Sequence, residues 1–404
     1  MGANSMIYLD WAATAPLSKA AYDAMLPFLS PGLPGLAQGN GNANSLHHAG
    51  RDAFRVLEAS RRDIARAIGA RPDEMIFTSG ATEADNAALL GIVEGLLKKR
   101  GQSFTTIKTE EAPSIIISAI EHDAVLQAVA VLERRGITSI IVKPDRAGFI
   151  TPEALQEALD SATDPLLVSV MALNNETGAI MDVPALAEVA HMFGALFHTD
   201  ATQALGKLPI SVKKWDVDAL SLSSHKIGGP KGVGALYLKT RTPYVAQLVG
   251  GGQEANRRSG TQNIAGVVGF AAAAREVLLH QVEQARSMQE LRDRLFTGLC
   301  ALNGVNPVVD PREGSYAPHI VSIMCEGFES ETLILQLDKR DICVSGGSAC
   351  ASHSLDPSHV LTAMNIGRDQ ALGMLRFSLG PTTTEEEIDR CIEMVREVLE
   401  MTWN

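Results

Sequence analysis

The sequence lacks any apolar run that approaches the length of about 18 residues needed to cross a bilayer. Its most apolar stretch, from Ile264 to Ala274, ends at Arg275. The first residues also lack the basic and then apolar order that is typical of a signal peptide. We therefore expect a soluble protein that has no membrane partner.

Cysteine and positive charge are both scarce. Five cysteines in 404 residues are few and odd in number, which argues against a disulfide framework and favours a reducing compartment. Lys and Arg total 35 against 47 Asp and Glu, for a net charge of −12. Because affinity for a phosphate backbone comes from clustered cations, we predict that the protein does not bind nucleic acid directly. The few cysteines predict that it is cytoplasmic.

Hydrophobic residues make up 46% of the chain and charged residues 20%, which is ordinary for a globular protein with a sizeable core. Short β-branched runs alternate with helical patterns and predict a mainly parallel sheet covered on both faces. The predicted strands are 75–78, 115–119, 140–143, 166–172, 195–199, 219–223 and 234–238. The predicted helices between them are 50–68, 83–99, 123–135, 152–160 and 183–193.

A long helical pattern over residues 265–303 follows a glycine-rich segment and leads to a second unit. The remainder of the chain has the mixed pattern of a small α+β domain. We predict a large α/β domain over residues 16–268, and a small domain formed by residues 1–15 and 269–404.

Polar residues follow several predicted strands where a plain core would not need them. Ligands of parallel sheets bind at the carboxyl ends of the strands, so these residues are the candidate site. They are Thr78-Ser79-Gly80, Glu121-His122, Asn174-Asn175-Glu176, His198-Thr199-Asp200 and Ser223-Ser224-His225-Lys226.

Each candidate has a chemical and a structural interpretation. Lys226 follows a strand among hydroxyls and glycines, where its amine could form a Schiff base or simply face solvent. Asp200 could hold a heterocyclic nitrogen protonated, or could cap the next helix. The Ser79–Glu83 segment suits a phosphate through its backbone N–H groups and the Thr82 hydroxyl, or it is an ordinary capping box.

Cys350 lies in a run of small residues without apolar periodicity, which favours an exposed loop and a nucleophilic thiol. A metal site formed by Cys343, Cys350, His353 and His359 is the alternative. Their spacings match no common zinc signature, so we expect no metal.

Taken together, the motifs resemble those of the cysteine desulfurases, which are pyridoxal-phosphate enzymes of the class-V aminotransferase family. The Ser348-Ala349-Cys350 loop is similar to that of group I, the long-loop type, which serves iron–sulfur cluster assembly and tRNA thiolation. The resemblance covers the whole chain through Tyr8-Leu9-Asp10, Ala12-Ala13-Thr14, Thr78–Glu83, Glu121-His122, Asn174–Gly178, His198–Gln203, Ser223–Lys226, Arg258–Thr261, Ser348–Cys350 and Arg376–Gly380.

The resemblance implies the type I fold of pyridoxal-phosphate-dependent transferases, with a seven-stranded sheet in the large domain and the cysteine loop in the small domain. It also implies pyridoxal 5'-phosphate as cofactor, bound covalently by Lys226, with Asp200 on the pyridinium nitrogen, His122 stacked on the ring and Gln203 at the phenolic oxygen. The phosphate would be bound by Ala81, Thr82, Ser223 and His225, and by Thr261 of the other subunit of a homodimer.

For the reaction, the resemblance implies that Arg376 and Asn175 bind the substrate carboxylate, and that His122 exchanges protons. Cys350 would take the sulfur of L-cysteine as a persulfide and leave alanine. Acceptors of this sulfur would be proteins such as an iron–sulfur scaffold or a tRNA-thiolation enzyme. The alternatives are a selenocysteine lyase or another class-V pyridoxal-phosphate lyase, and a catalytically silent sulfur-transfer scaffold.

The chain departs from the family pattern near its N-terminus. Trp11 stands where the family usually has Asn, and Ala15 replaces a usual Thr. Neither change affects the lysine, the aspartate or the loop cysteine, so we expect the chemistry to be retained.

Overall fold

The computed structural model describes residues 6–29, 41–107, 112–347 and 356–402. Its strands are β1 Ile7–Tyr8, β2 Met75–Thr78, β3 Ser114–Ser118, β4 Thr138–Val142, β5 Pro165–Ser169, β6 Leu196–Asp200, β7 Ala219–Ser223, β8 Gly234–Leu238, β9 Val305–Pro307, β10 Ile320–Cys325, β11 Ile342–Cys343 and β12 Met374–Ser378. Its α-helices are α1 Lys19–Met25, α2 His48–Ala67, α3 Ala81–Lys99, α4 Asp123–Arg134, α5 Pro152–Asp160, α6 Val183–Met192, α7 Val212–Trp215, α8 Gln253–Asn256, α9 Ile264–Cys300, α10 Ser330–Asp338, α11 His359–Ala363, α12 Arg368–Leu372 and α13 Glu385–Thr402.

The central sheet has seven strands in the order β2-β8-β7-β6-β5-β3-β4. The pairs from β4 to β7 are parallel, and β8 is antiparallel to both of its neighbours. The predicted α/β fold with a mainly parallel seven-stranded sheet is therefore confirmed, with one antiparallel strand that the pattern did not distinguish.

Alternating side chains of the buried strands supply two apolar layers. Ile115 and Ile117 of β3 pack with α3 and α4 on one face, whereas Ile116 joins the core on the other face with residues of α2, α5, α6 and α9. Because both faces are covered, the residues of the central strands are buried on both faces, and β3 has three consecutive isoleucines.

The second unit combines a three-stranded antiparallel sheet, β12-β10-β9, with the short parallel pair β1-β11. It has its own core, which includes Leu295 and Phe296 of α9. The first turns of α9 belong to the large core instead, through residues such as Phe270. The predicted boundary at residue 268 lies inside this shared helix, and the two predicted domain ranges stay predictions.

Most predicted elements coincide with observed ones to within a few residues. The largest difference is at β5, which ends at Ser169, although strand 166–172 was predicted. The backbone beyond it still follows β6, since the Ala172 N–H donates to the Asp200 carbonyl. No helix of the described ranges is long and apolar enough to span a bilayer.

Candidate active site

A cavity of about 390 Å³ lies where β2, β6 and β7 end. Its lining combines residues from seven of the ten motifs that the sequence singled out. The lining residues are Ala12, Ala13, Thr14, Ser79, Gly80, Ala81, Thr82, Asp85, His122, Met171, Leu173, Asn175, Asp200, Thr202, Gln203, Ser223, His225, Lys226, Lys231, Gly232 and Arg376.

Lys226 lies in a single 3₁₀ turn that directly follows β7. Its Nζ donates to the Ala12 carbonyl at 2.6 Å and to the Ala13 carbonyl at 2.8 Å. The N-terminal segment thus fixes the amine at the wall of the cavity. The interpretation of Lys226 as a solvent-facing loop lysine does not fit this position.

The turn between β2 and α3 forms another wall. Gly80 caps the 19-residue helix α3 without a side-chain bond, and the Glu83 carboxylate accepts from the Ser79 N–H at 2.8 Å. One carboxylate bond of a capping box is therefore present without its side-chain cap, and the same turn also lines the cavity. Backbone N–H groups at the positive end of a long helix are a favourable site for a phosphate.

This turn packs tightly against β8. A Cβ added to Gly234 would lie 2.6 Å from the Gly80 carbonyl carbon and equally close to the Leu222 oxygen. Only glycine permits β8 to approach so closely. Gly234, which the sequence did not single out, thereby supports the shape of the turn.

Asp200 ends β6 and is 6% exposed. Its Oδ1 accepts from the Thr202 N–H at 2.8 Å, so it does cap the following turn while it lines the cavity. Gln203 donates its Nε2 to the Ala12 carbonyl at 2.8 Å. The side chains of both residues are thus held by the local backbone.

Two further carboxyl groups are buried near Asp200. Burial raises the pKa of Glu121 to about 8, although the Ser118 hydroxyl and the Met171 N–H donate to its Oε1. Burial also raises the pKa of Asp85 well above its usual value, and the charge of Asp200 adds to the effect. Burial therefore favours the protonated form of both carboxyl groups.

The two histidines of the site have defined surroundings. His122 caps α4, and its Nδ1 accepts from the Ala124 N–H at 3.1 Å, which leaves Nε2 to carry the proton of the neutral ring. His225 Nδ1 lies 3.1 Å from the Thr14 hydroxyl. Burial lowers the pKa of His225 to about 4, and the charges of Lys226 and Lys231 act in the same direction.

Arg376 lies on β12 and is only 1% exposed. Its Nη1 donates to the Asn175 carbonyl and its Nη2 to Asp10 Oδ1, each at 3.0 Å. Its Nε has no hydrogen-bond partner among the described residues. A buried guanidinium with an unused donor at a cavity wall can bind an anion such as a carboxylate.

Every predicted site residue that the structure describes lines this cavity, with the exception of Thr261. Thr261 is exposed in this single chain, and its predicted role belongs to the other subunit of a dimer. Cys350 lies outside the described residues, as does His353 of the alternative metal site. In the described ranges no group of three or more His, Cys, Asp or Glu could hold a metal ion.

Asp85 and Lys231 line the cavity without having been predicted as site residues. Asp85 lies three residues after Thr82 on α3, so both occupy the same face of the helix. That spacing is the signal in the sequence that could have found it. Lys231 lies in the glycine-rich segment after Lys226, and its sequence alone resembles a solvated loop.

The donor set fits pyridoxal 5'-phosphate. A helix N-terminus with adjacent hydroxyls suits the phosphate, a carboxylate suits the ring nitrogen, and an amine suits the aldehyde. Buried polar atoms without a partner in the described residues also line the cavity, namely both Asp85 carboxylate oxygens, Thr202 Oγ1 and Arg376 Nε. Such atoms indicate a polar ligand, since buried polar groups are normally hydrogen-bonded.

Comparisons with known proteins agree with this site. The sequence pattern of the family "Aminotransferase class-V" matches residues 7–391. "Cysteine desulfurase IscS" of Dictyoglomus turgidum is 39% identical, over 98% of this chain and 94% of its own length. "Cysteine desulfurase IscS" of Pectobacterium carotovorum is 41% identical, over 97% of this chain and 92% of its own.

Solved structures are also similar. A NifS-like protein superposes with a TM-score of 0.87 at 34% identity, covering 98% of this chain and all of that one. A structure described as SspA in complex with cysteine gives a TM-score of 0.75 at 29% identity, covering 93% of this chain and 99% of that one. The chain belongs to the class-V aminotransferase family, which uses pyridoxal phosphate, and its activity is that of a cysteine desulfurase.

Proposed function

We propose that the chain binds pyridoxal 5'-phosphate on Lys226 and transfers the sulfur of L-cysteine to Cys350. In the net reaction the carbon–sulfur bond of cysteine breaks, a sulfur–sulfur bond forms on Cys350, and the former substrate leaves as alanine. When bound, the cofactor supplies an electron sink for charge at the substrate α-carbon. The observation that supports this proposal is the meeting of Lys226, Asp200, His122 and Arg376 on one cavity.

Arg376 is assigned to bind the carboxylate of the substrate. Its Nε is unused, and the Nη2 bond to Asp10 can be exchanged for a bond to the incoming carboxylate. Burial raises the pKa of Asp10 while the Arg376 charge opposes that rise, so Asp10 is a weak competitor for the guanidinium. Asn175 contacts Arg376 through its carbonyl and also lines the cavity.

Lys226 and His122 are assigned to proton movement. The carbonyls of Ala12 and Ala13 orient the Lys226 amine, which is suited to exchange the α-proton of the substrate. His122 presents Nε2 because its Nδ1 is engaged by the Ala124 N–H. Histidine exchanges protons readily near neutral pH, so this ring can protonate the product carbon.

A homodimer would complete the phosphate site with Thr261 of the partner subunit. Two ion pairs hold the segment that carries this residue. Arg258 forms a bidentate pair with Glu83 of α3, at 2.7 and 3.1 Å, and Arg61 pairs with Glu254 at 2.6 Å. The proposed cytoplasmic acceptors of the sulfur are an iron–sulfur scaffold or a tRNA-thiolation enzyme.

The assignment of Cys350 is tested by incubation of the purified protein with L-cysteine, followed by intact mass and peptide mass measurements. We expect one added sulfur atom on Cys350. The Cys350→Ala variant should keep the visible absorbance of the bound cofactor and lose alanine and sulfide production. Cys343→Ala is the matched control, because Cys343 is a half-buried free thiol of β11 outside the cavity.

Continued alanine production by Cys350→Ala would exclude Cys350 as the sulfur acceptor. Reduction of the wild-type protein with borohydride should fix the cofactor on the peptide that contains Lys226, and a different labelled peptide would contradict the assignment of the amine. Turnover on selenocysteine far above that on cysteine would favour the lyase alternative. A colourless protein without turnover on either substrate would favour the silent scaffold.

A further inference from the structure

Asp85 is a buried carboxyl group that the proposed reaction does not use. It lies on α3 in the second turn, is 0% exposed, and lines the cavity together with Asp200. Neither of its carboxylate oxygens has a hydrogen-bond partner in the described part of the chain. An ionised carboxylate in such a position would be strongly destabilising.

The groups that act most strongly on the pKa of Asp85 are acidic or neutral. The groups that act on Asp85 are Asp200 and His198 of β6, Glu121 just after β3, and Ser221 of β7. Asp200 and Glu121 raise the pKa of Asp85 further after burial, and only the Ser221 hydroxyl opposes them. Lys226 lines the same cavity but donates to backbone carbonyls of the N-terminal segment.

His198 is close to Asp85, with 3.7 Å between His198 Nε2 and Asp85 Oδ1. It is itself fully buried, and its two ring nitrogens lie 2.8 Å from the Ser169 hydroxyl and 3.0 Å from the Ser221 hydroxyl. Burial lowers the pKa of His198 to about 3, so the ring is neutral. A neutral His198 does not compensate a negative charge on Asp85.

We propose that Asp85 is a positioning residue that holds a proton beside Asp200, so that it adds no second negative charge next to the Asp200 carboxylate. This inference rests on the proposed function, in which Asp200 faces the ring nitrogen of the cofactor. A neutral Asp85 would leave the Asp200 carboxylate without a second negative charge beside it where it faces the ring nitrogen. Asp85 acts through Asp200 and need not contact the substrate.

The proton on Asp85 is measurable through the pH dependence of unfolding. The folded chain keeps this proton, whereas the unfolded chain releases it above the ordinary aspartate pKa of about 3.9. The wild-type protein should therefore lose stability with rising pH relative to the Asp85→Asn variant, which cannot ionise. The ratio of their unfolding constants should grow with pH, by up to about tenfold per pH unit, once the pH exceeds the aspartate pKa of the unfolded chain.

The measurement uses urea unfolding of the full chain, with Asp160→Asn as the matched control. Asp160 is exposed at the end of α5, so its replacement should give a ratio that does not change with pH. A pH-independent ratio for Asp85→Asn as well would mean that Asp85 is ionised in the folded protein, and would overturn the proposal.

Infrared spectroscopy provides a second readout that does not require the variant to be stable. In wild-type protein labelled with carboxyl-¹³C aspartate, we expect an isotope-shifted carbonyl band of a protonated carboxylic acid at neutral pH. The label separates Asp85 from the buried Glu121. Absence of the shifted band in the wild-type protein would overturn the proposal. Persistence of the band in folded Asp85→Asn would also overturn it, because the proton would then be on Asp200.

The same spectra are recorded with and without added pyridoxal 5'-phosphate. A wild-type chain that shows the band but develops no visible cofactor absorbance would contradict the proposed function and leave the protonated Asp85 in place. A chain that binds the cofactor without showing the band would contradict the role of Asp85 alone. The two failures are therefore distinguishable.

Discussion

Replacement of Glu254 by Gln should destabilise the protein by breaking a buried ion pair. The Glu254 side chain is 1% exposed and the Arg61 side chain 9%. Arg61 Nη1 and Nη2 donate to the two carboxylate oxygens at 2.6 and 2.9 Å. Burial alone would raise the pKa of Glu254, but Arg61 and the Phe77 N–H lower it overall, so the pair is ionised.

The loss in the free energy of unfolding depends on the contacts that Arg61 and residue 254 retain after the substitution. Removing one member of a buried pair typically costs about 3–5 kcal/mol, because the other charge stays buried. Arg61 retains a bond from its Nε to Glu58 at 2.8 Å and its position over the Phe77 ring. The Gln oxygen can still accept from Phe77. We therefore expect the free energy of unfolding to fall by about 3 kcal/mol, near the lower end of this range.

The pair also maintains an unusual backbone. Glu254, Ala255 and Asn256 have φ angles of 51°, 56° and 62°, a left-handed conformation that is unfavourable for residues with a Cβ. The Arg61 contact holds this turn against α2. Release of the turn in the variant should also disturb the nearby segment that carries Thr261.

The assay is urea unfolding of wild type, Glu254→Gln, Arg61→Met and the double variant at one pH and salt concentration. Each single variant should lose about 3 kcal/mol, and the double variant should lose about the same rather than twice as much, because it leaves no unpaired charge. Losses that add up in the double variant, or a single loss below about 1 kcal/mol, would refute the reasoning.

Two further predictions follow from the site. Because the folded-state pKa of Glu121 is about 8 against an ordinary 4.5, the folded protein keeps a proton that the unfolded chain releases, and wild-type stability falls as pH rises through this window. Glu121→Gln should gain about 1.4 kcal/mol per pH unit relative to wild type in urea unfolding, and a constant difference would contradict the buried proton. Gly234→Ala should cost about 1–3 kcal/mol and weaken cofactor uptake, because its Cβ would meet the backbone of Gly80. Gly367→Ala is the control, because an added Cβ there would lie 3.8 Å from the nearest atom and the φ angle is −61°. A loss of stability equal to that of Gly234→Ala would contradict the steric argument.

The sequence was sufficient to predict the sheet and the residues that meet at its edge. Strands such as β3 have an apolar run at their centre, Asp200 ends β6, and Lys226 lies in the turn that directly follows β7. Since the carboxyl ends of parallel strands lie side by side, adjacency in sequence to a strand end already implied proximity in space. His122 and the Gly80 turn were predictable for the same reason.

Other features depend on contacts between distant parts of the chain. Arg376 and Asp10 are 366 positions apart, and Arg61 and Glu254 are 193 positions apart. Trp11, which departs from the family pattern, packs so closely on Gly380 that an added Cβ would lie 1.9 Å from its ring. No local pattern of the sequence encodes these pairs.

What the sequence by itself determined was the order of strands and helices, and with it the group of polar side chains at the ends of the strands. Only the tertiary structure decided the electrostatics of the site. Asp85 occupies an ordinary position in a helical pattern, and its pKa is raised because the folded chain buries it completely beside Asp200 and Glu121. The pKa of a side chain depends on its burial, on nearby charges and on its hydrogen bonds in the folded chain, and the residues adjacent in sequence do not specify these.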